Sequence, residues 1–474
     1  MAGTGDASNA FLDHSFATQN PPSTQALLGA ESEPWPSPAR AWYAVFIFAL
    51  SLMVNFLDRG VLTLLVEPIK RDLHLSDVQI SLVMGFAFVC FYVLLGLPIA
   101  RLVDFKSRRA IIAIGITIWS FMTASCGLAR SFVQLFLARV GVGVGEACSG
   151  PATYSMLADL FPKEKLPRAI AVLNFGFYAG TGLALIIGGT VTQLFLNHPP
   201  VALPVIGVLR GWQLTFLVVG IPGLIVAALM LTVKEPKRRG LITTPGAPAN
   251  AAKPIPIRAV LVFMRESAST FVPLFTGMGI QTVMLFGGAS WGPAFYMRTY
   301  HWTIMKFALV QGVLALTVMP AGAFIGGLLA ERFAKKGHDD ANMRVVLIAS
   351  GLALPGAIVF PLMPTAGLAV IISAYALFCQ SWVAGPINAA LQTITPNQMR
   401  GQITALFLFV FNVIGFGLGP TAVALFTDYV FRSESQLRYS LAASTLTLGP
   451  VGLLMMWLCL KPYARSVVRS RAWA

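Results

Sequence analysis

Charge is scarce in this sequence. Asp, Glu, Lys and Arg make up 11% of 474 residues, against roughly 25% in soluble domains, which excludes an ordinary water-soluble fold. A disulfide framework is excluded too. Cys90, Cys126, Cys148, Cys379 and Cys459 all fall in apolar stretches, where small packing residues are the expectation. No histidine lies inside such a stretch: His14, His74, His198, His301 and His338 sit outside them or at their ends. Any proton carried at depth must therefore ride on a carboxylate. The absence of an Asn-x-Ser/Thr sequon fits a bacterial origin. No Walker GxxxxGK[ST] is present, so ATP is not the expected driver. No HExxH or Cys/His zinc spacing occurs, and neither an enzyme, a metal site nor a cofactor is expected.

What remains is apolar. Mean hydropathy is +0.73, and 56% of residues are hydrophobic. Stretches near 20 residues recur, each able to cross ~30 Å of hydrocarbon. The sequence predicts twelve transmembrane helices, at 41–66, 78–102, 110–129, 131–160, 168–196, 211–233, 268–297, 304–332, 344–363, 366–394, 401–427 and 437–460. The fold class is an all-α membrane protein with two six-helix pseudo-symmetric bundles. The divisions are a disordered N-terminus (1–40), an N-terminal bundle (41–233), a basic then Pro/Ala/Gly-rich linker (234–267), a C-terminal bundle (268–460) and a tail (461–474). Of the 34 basic residues, 24 fall on the side shared by both termini and 8 on the other. That bias predicts cytoplasmic termini. It also explains the net charge of +15 without nucleic acid.

Only two acids lie deep inside apolar segments, Asp58 in NFLDR and Glu146 in ARVGVGVGE. Arg59 and Arg139 accompany them. Charge at such depth costs at least ~2.5–3.5 kcal/mol per group, so these groups must face one another or a wet cavity. Asp58 and Arg139 each lie eight residues from the same membrane surface, roughly 12 Å deep, and Glu146 is one helical face deeper. The four form a column, either a static bridge locking the bundle or a set that rearranges as protons come and go. Asn55 lies one turn before Arg59. GVGVGE follows no strand, so it is not a dinucleotide loop. Gly141, Gly145 and Ser149, like Gly176, Gly180, Ala184 and Gly188, read as close-packing stripes.

In the C-terminal half the spans lack central charge and carry aromatic and amide groups: Gln281, Trp291, Tyr296, Tyr375, Phe378, Gln380, Trp382 and Asn388. The two halves also echo each other. ARLVDFKSRR at 100–109 aligns with GLLAERFAKK at 327–336, and SGPA at 149–152 with AGPI at 384–387. Internal repeats of membrane helices mark transporters whose halves rock about a central site.

The doubled acid-and-basic-pair loop resembles the signature of the major facilitator superfamily. Phe105 and Ser107 depart from the usual arginine and glycine. Within that superfamily NFLDR, RVGVGVGEA, ADLFP, GIPGL and KEPKR resemble the Spinster family. The resemblance implies a secondary active transporter of an amphipathic, lipid-like molecule of lysophospholipid or sphingoid-phosphate type, working by alternating access with proton coupling. A proton-coupled organic-anion (sugar-acid) symporter is the alternative. The expected proton-coupling residues are Asp58, Glu146, Arg59 and Arg139. The expected substrate contacts are Arg59, Glu146, Asn55, Trp291, Tyr296, Phe378, Gln380 and Trp382. A cytoplasmic gate is expected from Asp104, Arg108, Arg109, Asp159, Glu331, Arg332 and Lys336, with Asp104 facing span 11, Glu331 facing span 5, and Arg108 or Arg109 pairing with Asp159. A monomer in the bacterial inner membrane, with the substrate, protons and the bilayer as partners, completes the expectation.

Overall fold

The computed structural model describes residues 35–162, 165–204, 207–238, 257–396 and 399–471. Most of the expected disordered N-terminus and of the linker lies outside the described residues.

Twelve helical spans are long and apolar enough to cross a membrane: Pro38–Leu64, Asp77–Gly96, Arg108–Cys126, Phe132–Leu160, Gly176–Leu196 and Gly211–Thr232, then Ala268–Tyr300, Ile304–Lys335, Ala341–Leu362, Ala366–Thr393, Arg400–Phe431 and Glu434–Ser470. They are numbered spans 1 to 12. Alternation puts the connections 1–2, 3–4, 5–6, 7–8, 9–10 and 11–12 on one surface, here the loop face. Pro38 at the start of span 1 and Ser470 at the end of span 12 lie on the other, here the terminal face. Local chemistry sets the ends. Pro38 opens span 1 at a position that needs no N–H. Ser76 and Gln79 form a capping box on span 2. Ser131, Thr303 and Thr365 cap spans 4, 8 and 10. A short antiparallel hairpin, Val201–Leu203 with Gly207–Leu209, joins spans 5 and 6.

Several spans are interrupted along their length, two of them beside prolines, where the sequence allows a bend. Span 4 is two helices, Phe132–Glu146 and Ser149–Leu160. Pro151 cannot donate to the Ala147 carbonyl, and its ring crowds that carbonyl, so the break falls there. Span 10 repeats this as Ala366–Ser381 and Ala384–Thr393, with Pro386 in the corresponding place. The echo of SGPA and AGPI is thus a repeated break. Span 11 carries π-helical turns at Phe411–Gly417 and Phe426–Phe431.

The small-residue stripes are packing surfaces. Gly176, Gly180 and Gly188 lie against Ala49, Met53 and Val61 of span 1, and Gly145 against Trp119 of span 3.

The halves meet toward the loop face. A Cβ on Gly182 of span 5 would stand 2.5 Å from Leu316 Cγ and 2.8 Å from the Gly312 carbonyl of span 8, and one on Gly189 would meet Ala308. Span 2 meets span 11 through Ser81 Oγ and Thr421 Oγ1 (3.1 Å) and through Asp428 Oδ2, which accepts from the Val78 N–H (2.8 Å). Arg298 of span 7 donates to Glu67 Oε1 (2.6 Å) and to both oxygens of Asp77 (2.8 and 2.9 Å). Lys70 pairs with Asp77 and Glu434. Toward the terminal face Phe177 of span 5 and Phe324 of span 8 are exposed. Among the described residues these hydrogen bonds and ion pairs between the halves lie toward the loop face, which leaves the terminal face as the side on which a cleft between them opens.

Candidate functional site: a buried charge column at the cleft

The break in span 4 places Glu146 as the last residue of its first helix. Its Oε2 accepts from Arg59 Nε (2.8 Å) and Nη2 (2.5 Å). The Glu146 side chain is fully buried, whereas Arg59 keeps 18% exposure. Arg59 is therefore the member of the pair that keeps an exposed surface. Its guanidinium lies over four aromatic rings, those of Phe88 (4.4 Å), Phe416 (5.5 Å), Tyr92 (5.7 Å) and Phe56 (5.9 Å). Rings of this kind hold a cation best when water is excluded.

Asp58 points away from the cleft and is fully buried. Thr123 Oγ1 donates to its Oδ2 at 3.2 Å. Arg139 is its electrostatic neighbour, as are Glu146 and Arg59. Depth matching on the two helices therefore brought the right residues into range, but no hydrogen bond joins Asp58 to Arg139. Asp58 Oδ1, Arg139 Nε and Nη1, and Glu146 Oε1 are buried without hydrogen-bond partners. Each such atom costs about 1–3 kcal/mol. Among protein atoms the column therefore leaves part of its hydrogen-bonding capacity unused. Asn55 is buried on the same helix.

The expected substrate contacts of the C-terminal half are placed unevenly. Phe378 and Trp382 stack edge to face at 5.6 Å and are half-buried, as is Gln380. The Trp382 indole N–H has no partner. Trp291 and Tyr296 are fully buried instead. Trp291 Nε1 donates to the Pro420 carbonyl at 2.8 Å, and Tyr296 packs against Trp302 and Phe307. Both belong to the loop-face core and not to the cleft. Gly288-Ala289-Ser290-Trp291-Gly292 spells GxSxG, but it lies inside the helix of span 7 and not at a strand-to-helix turn, so it is no nucleophile elbow.

At the terminal face Arg108 is buried. It pairs with Asp159, donates to Ser155 Oγ (3.0 Å) and the Pro236 carbonyl (2.8 Å), and meets Glu235 Oε1 at 2.9 Å. Glu235 also accepts from the Arg109 N–H (2.9 Å) and Ser107 Oγ (2.8 Å). Burial pushes the Glu235 carboxyl up, but these bonds outweigh it and hold the group below the usual carboxylate range. Of the C-terminal copy, Glu331 pairs only with Lys335 along its own helix, and Arg332 and Lys336 are exposed. The Asp104 side chain lies outside the described residues.

Sequence reasoning passed over three groups. Glu235 was visible only as part of KEPKR. Glu67, Lys70, Asp77, Arg298, Asp428 and Glu434 read as ordinary loop and helix-end charges, since nothing local links residue 77 to residue 298. Phe88, Tyr92 and Phe416 carry no signal within an apolar run.

The fold and this column define a membrane carrier built from two helical halves. The family model of the Major Facilitator Superfamily matches residues 48–420, and the chain belongs to that superfamily. It is therefore a secondary transporter and not an enzyme. It is 27% identical to an MFS-type efflux pump of Mycolicibacterium smegmatis, over 94% of this chain and 99% of that protein. It is 26% identical to a probable galactarate/D-glucarate transporter of Bacillus subtilis, over 77% of this chain and 81% of the other. Among solved structures it resembles a bacterial homologue of the human lysosomal transporter Spinster, in an inward-facing and unoccupied conformation. The TM-score is 0.73 at 25% identity, covering 92% of this chain and 99% of the other.

Proposed function

We propose that the protein carries an anionic, amphipathic, lipid-like molecule of lysophospholipid or sphingoid-phosphate type across the bacterial inner membrane, coupled to protons. The observation that carries this reading is the Arg59 side chain, 18% exposed beside a fully buried Glu146 and resting against the aromatic ring of Phe416 from the other half. Arg59 meets the head group, and Phe378 and Trp382 meet the tail. Protonation of Glu146 frees Arg59, and Asp58 with Arg139 forms a reserve pair behind it. The basic bias puts the terminal face in the cytoplasm, so the cleft opens inward. Similarity to the inward-facing Spinster homologue supports the same orientation.

A sugar-acid symporter is the second reading. It is favoured by the unpartnered donors of Arg139, which suit a small carboxylate, and by likeness to the galactarate/D-glucarate transporter. A thermal-stabilisation series on the purified protein separates the two. Lysolipids of increasing tail length should bind roughly fourfold tighter per CH₂, from about 0.8 kcal/mol each, until the cleft is full. Stabilisation by galactarate or a hexuronate, with no dependence on tail length, would replace the lipid reading. Proton coupling has its own check. Glu146→Gln should lose gradient-driven uptake and keep counterflow, and unchanged proton-driven uptake would refute the role.

A further inference from the structure

Three of the rings around Arg59 belong to the same half as Arg59: Phe56 in span 1, and Phe88 and Tyr92 in span 2. The fourth, Phe416, comes from span 11 in the other half. Phe416 also packs edge to face on Phe88 at 5.4 Å and on Phe286 of span 7 at 4.9 Å, and Phe286 continues to Phe411 at 5.8 Å. A continuous aromatic path thus runs from the charge column into the C-terminal half.

Two backbone features sit at this crossing. Phe416 lies in the π-helical stretch Phe411–Gly417. Such turns are uncommon and cluster at functional sites. Opposite it, span 2 is interrupted at Gly85, where a Cβ would come within 2.5 Å of the Phe416 carbonyl and 2.7 Å of the Gly417 carbonyl. The two spans touch backbone to backbone there, so the ring of Phe416 is seated with little freedom to shift while the halves are in contact.

We propose that Phe416 is the positioning residue through which the C-terminal half reads the Arg59–Glu146 pair. While Glu146 holds the guanidinium in the cage, Phe416 rests on it and span 11 stays seated against span 2. When the pair breaks, Arg59 leaves the ring, the seat loosens and the halves are released to rock. This rests on reading Arg59–Glu146 as the switch, and it adds the route by which an event inside one half reaches the other. The charged and titratable groups facing the cage are Glu146, Asp58, Arg139 and Tyr92, all from the N-terminal half. From the other half only the aromatic ring contributes.

The test is hydrogen–deuterium exchange of the full-length protein in nanodiscs, read on peptides covering 78–90 and 411–425. Five proteins are compared: wild type, Glu146→Gln, Phe416→Leu, the double variant and Phe416→Tyr. Glu146→Gln and Phe416→Leu should each speed exchange several-fold over the same peptides. The double variant should exceed neither, because both act on one contact. Phe416→Tyr, which keeps the ring, should behave as wild type, an outcome that a loss of packing volume alone would not give. Additive effects would overturn the proposal, as would a silent Phe416→Leu beside an active Glu146→Gln, and both leave the switch standing. A silent Glu146→Gln would remove the switch itself, and the proposal with it.

Discussion

Spans 4 and 10 break at matching places, each three residues before a proline. Their chemistry there is different. Span 4 ends its first helix on Glu146, bonded to Arg59. Span 10 ends its first helix on Ser381, beside Trp382, whose indole has no partner. The repeat preserved the hinge, and the two halves diverged in what stands at it. One half holds a charged pair at its break, and the other holds aromatic, apolar surface. A carrier for molecules with a head and a tail needs both, on opposite walls.

That contrast can be broken most severely at Arg59. Arg59→Met leaves Glu146 buried without its cation, and breaking a buried pair costs roughly 3–5 kcal/mol. Thermal unfolding in detergent should show a large loss, mostly recovered in the double variant with Glu146→Gln. Gln380→Met, at the corresponding depth of the other half, should leave the melting temperature nearly unchanged.

The next effect lies between the halves. Asp77 receives both Arg298 and Lys70, and a bond to a charged group is worth about 1.5–3 kcal/mol. Asp77→Asn should move the population toward an open loop face. Distance distributions measured across that face by double electron–electron resonance should broaden to longer values. A distribution equal to wild type would show that the remaining contacts, Arg298–Glu67, Val78–Asp428, Ser81–Thr421 and the glycine contacts of spans 5 and 8, hold it closed without Asp77.

A smaller, graded effect belongs to the apolar wall. Trp382→Ala should flatten the gain of about 0.8 kcal/mol per CH₂ while leaving affinity for short-tailed lysolipids almost as it was. An equal loss at every tail length would place Trp382 outside the binding surface.

The last comparison expects no change. The Glu235 carboxyl is held below the ordinary carboxylate range. A lowered folded-state value gives stability that is present above the unfolded pKa, near 4.3, and is lost as pH falls through the folded one. Between pH 5 and 8 Glu235 therefore stays ionised. Any pH response of transport in that window should survive Glu235→Gln. Loss of the response would move proton sensing from the column to the terminal face.

Twelve spans, their division into halves and the charge column were legible because hydropathy and buried charge are local signals. Asp58, Arg59, Arg139 and Glu146 stand out wherever they pack, since hydrocarbon tolerates so few such groups. The break beside Glu146 was half legible, in Pro151 and its echo Pro386. The fate of Trp291 and Tyr296 was not. An aromatic residue at a given depth can face the cleft, the lipid or the core, and only the packing of span 7 against spans 8 and 11 decides. The Asp77–Arg298 clamp was invisible for a related reason: its partners are brought together by closure of the loop face and not by any helix. Phe416 needed two distant facts at once, a π turn in span 11 and a gap at Gly85 in span 2.

The seam between spans 5 and 8 has a consequence for the speed of the cycle. At Gly182 and Gly312 the two backbones approach closely, each glycine also receiving one side chain from the facing helix, Leu316 and Ile186, and Gly189 faces Ala308. Glycine and alanine have no rotamers to freeze, whereas a long side chain loses up to about 2 kcal/mol of rotamer freedom when immobilised. A seam of interlocked leucines would have to withdraw and reinsert its side chains at each passage. This one seats a single side chain on each of Gly182 and Gly312, Leu316 and Ile186, and none on Gly189 beyond Ala308, so its ordering step is smaller and the barrier at this surface owes more to the helices and to the water that enters between them.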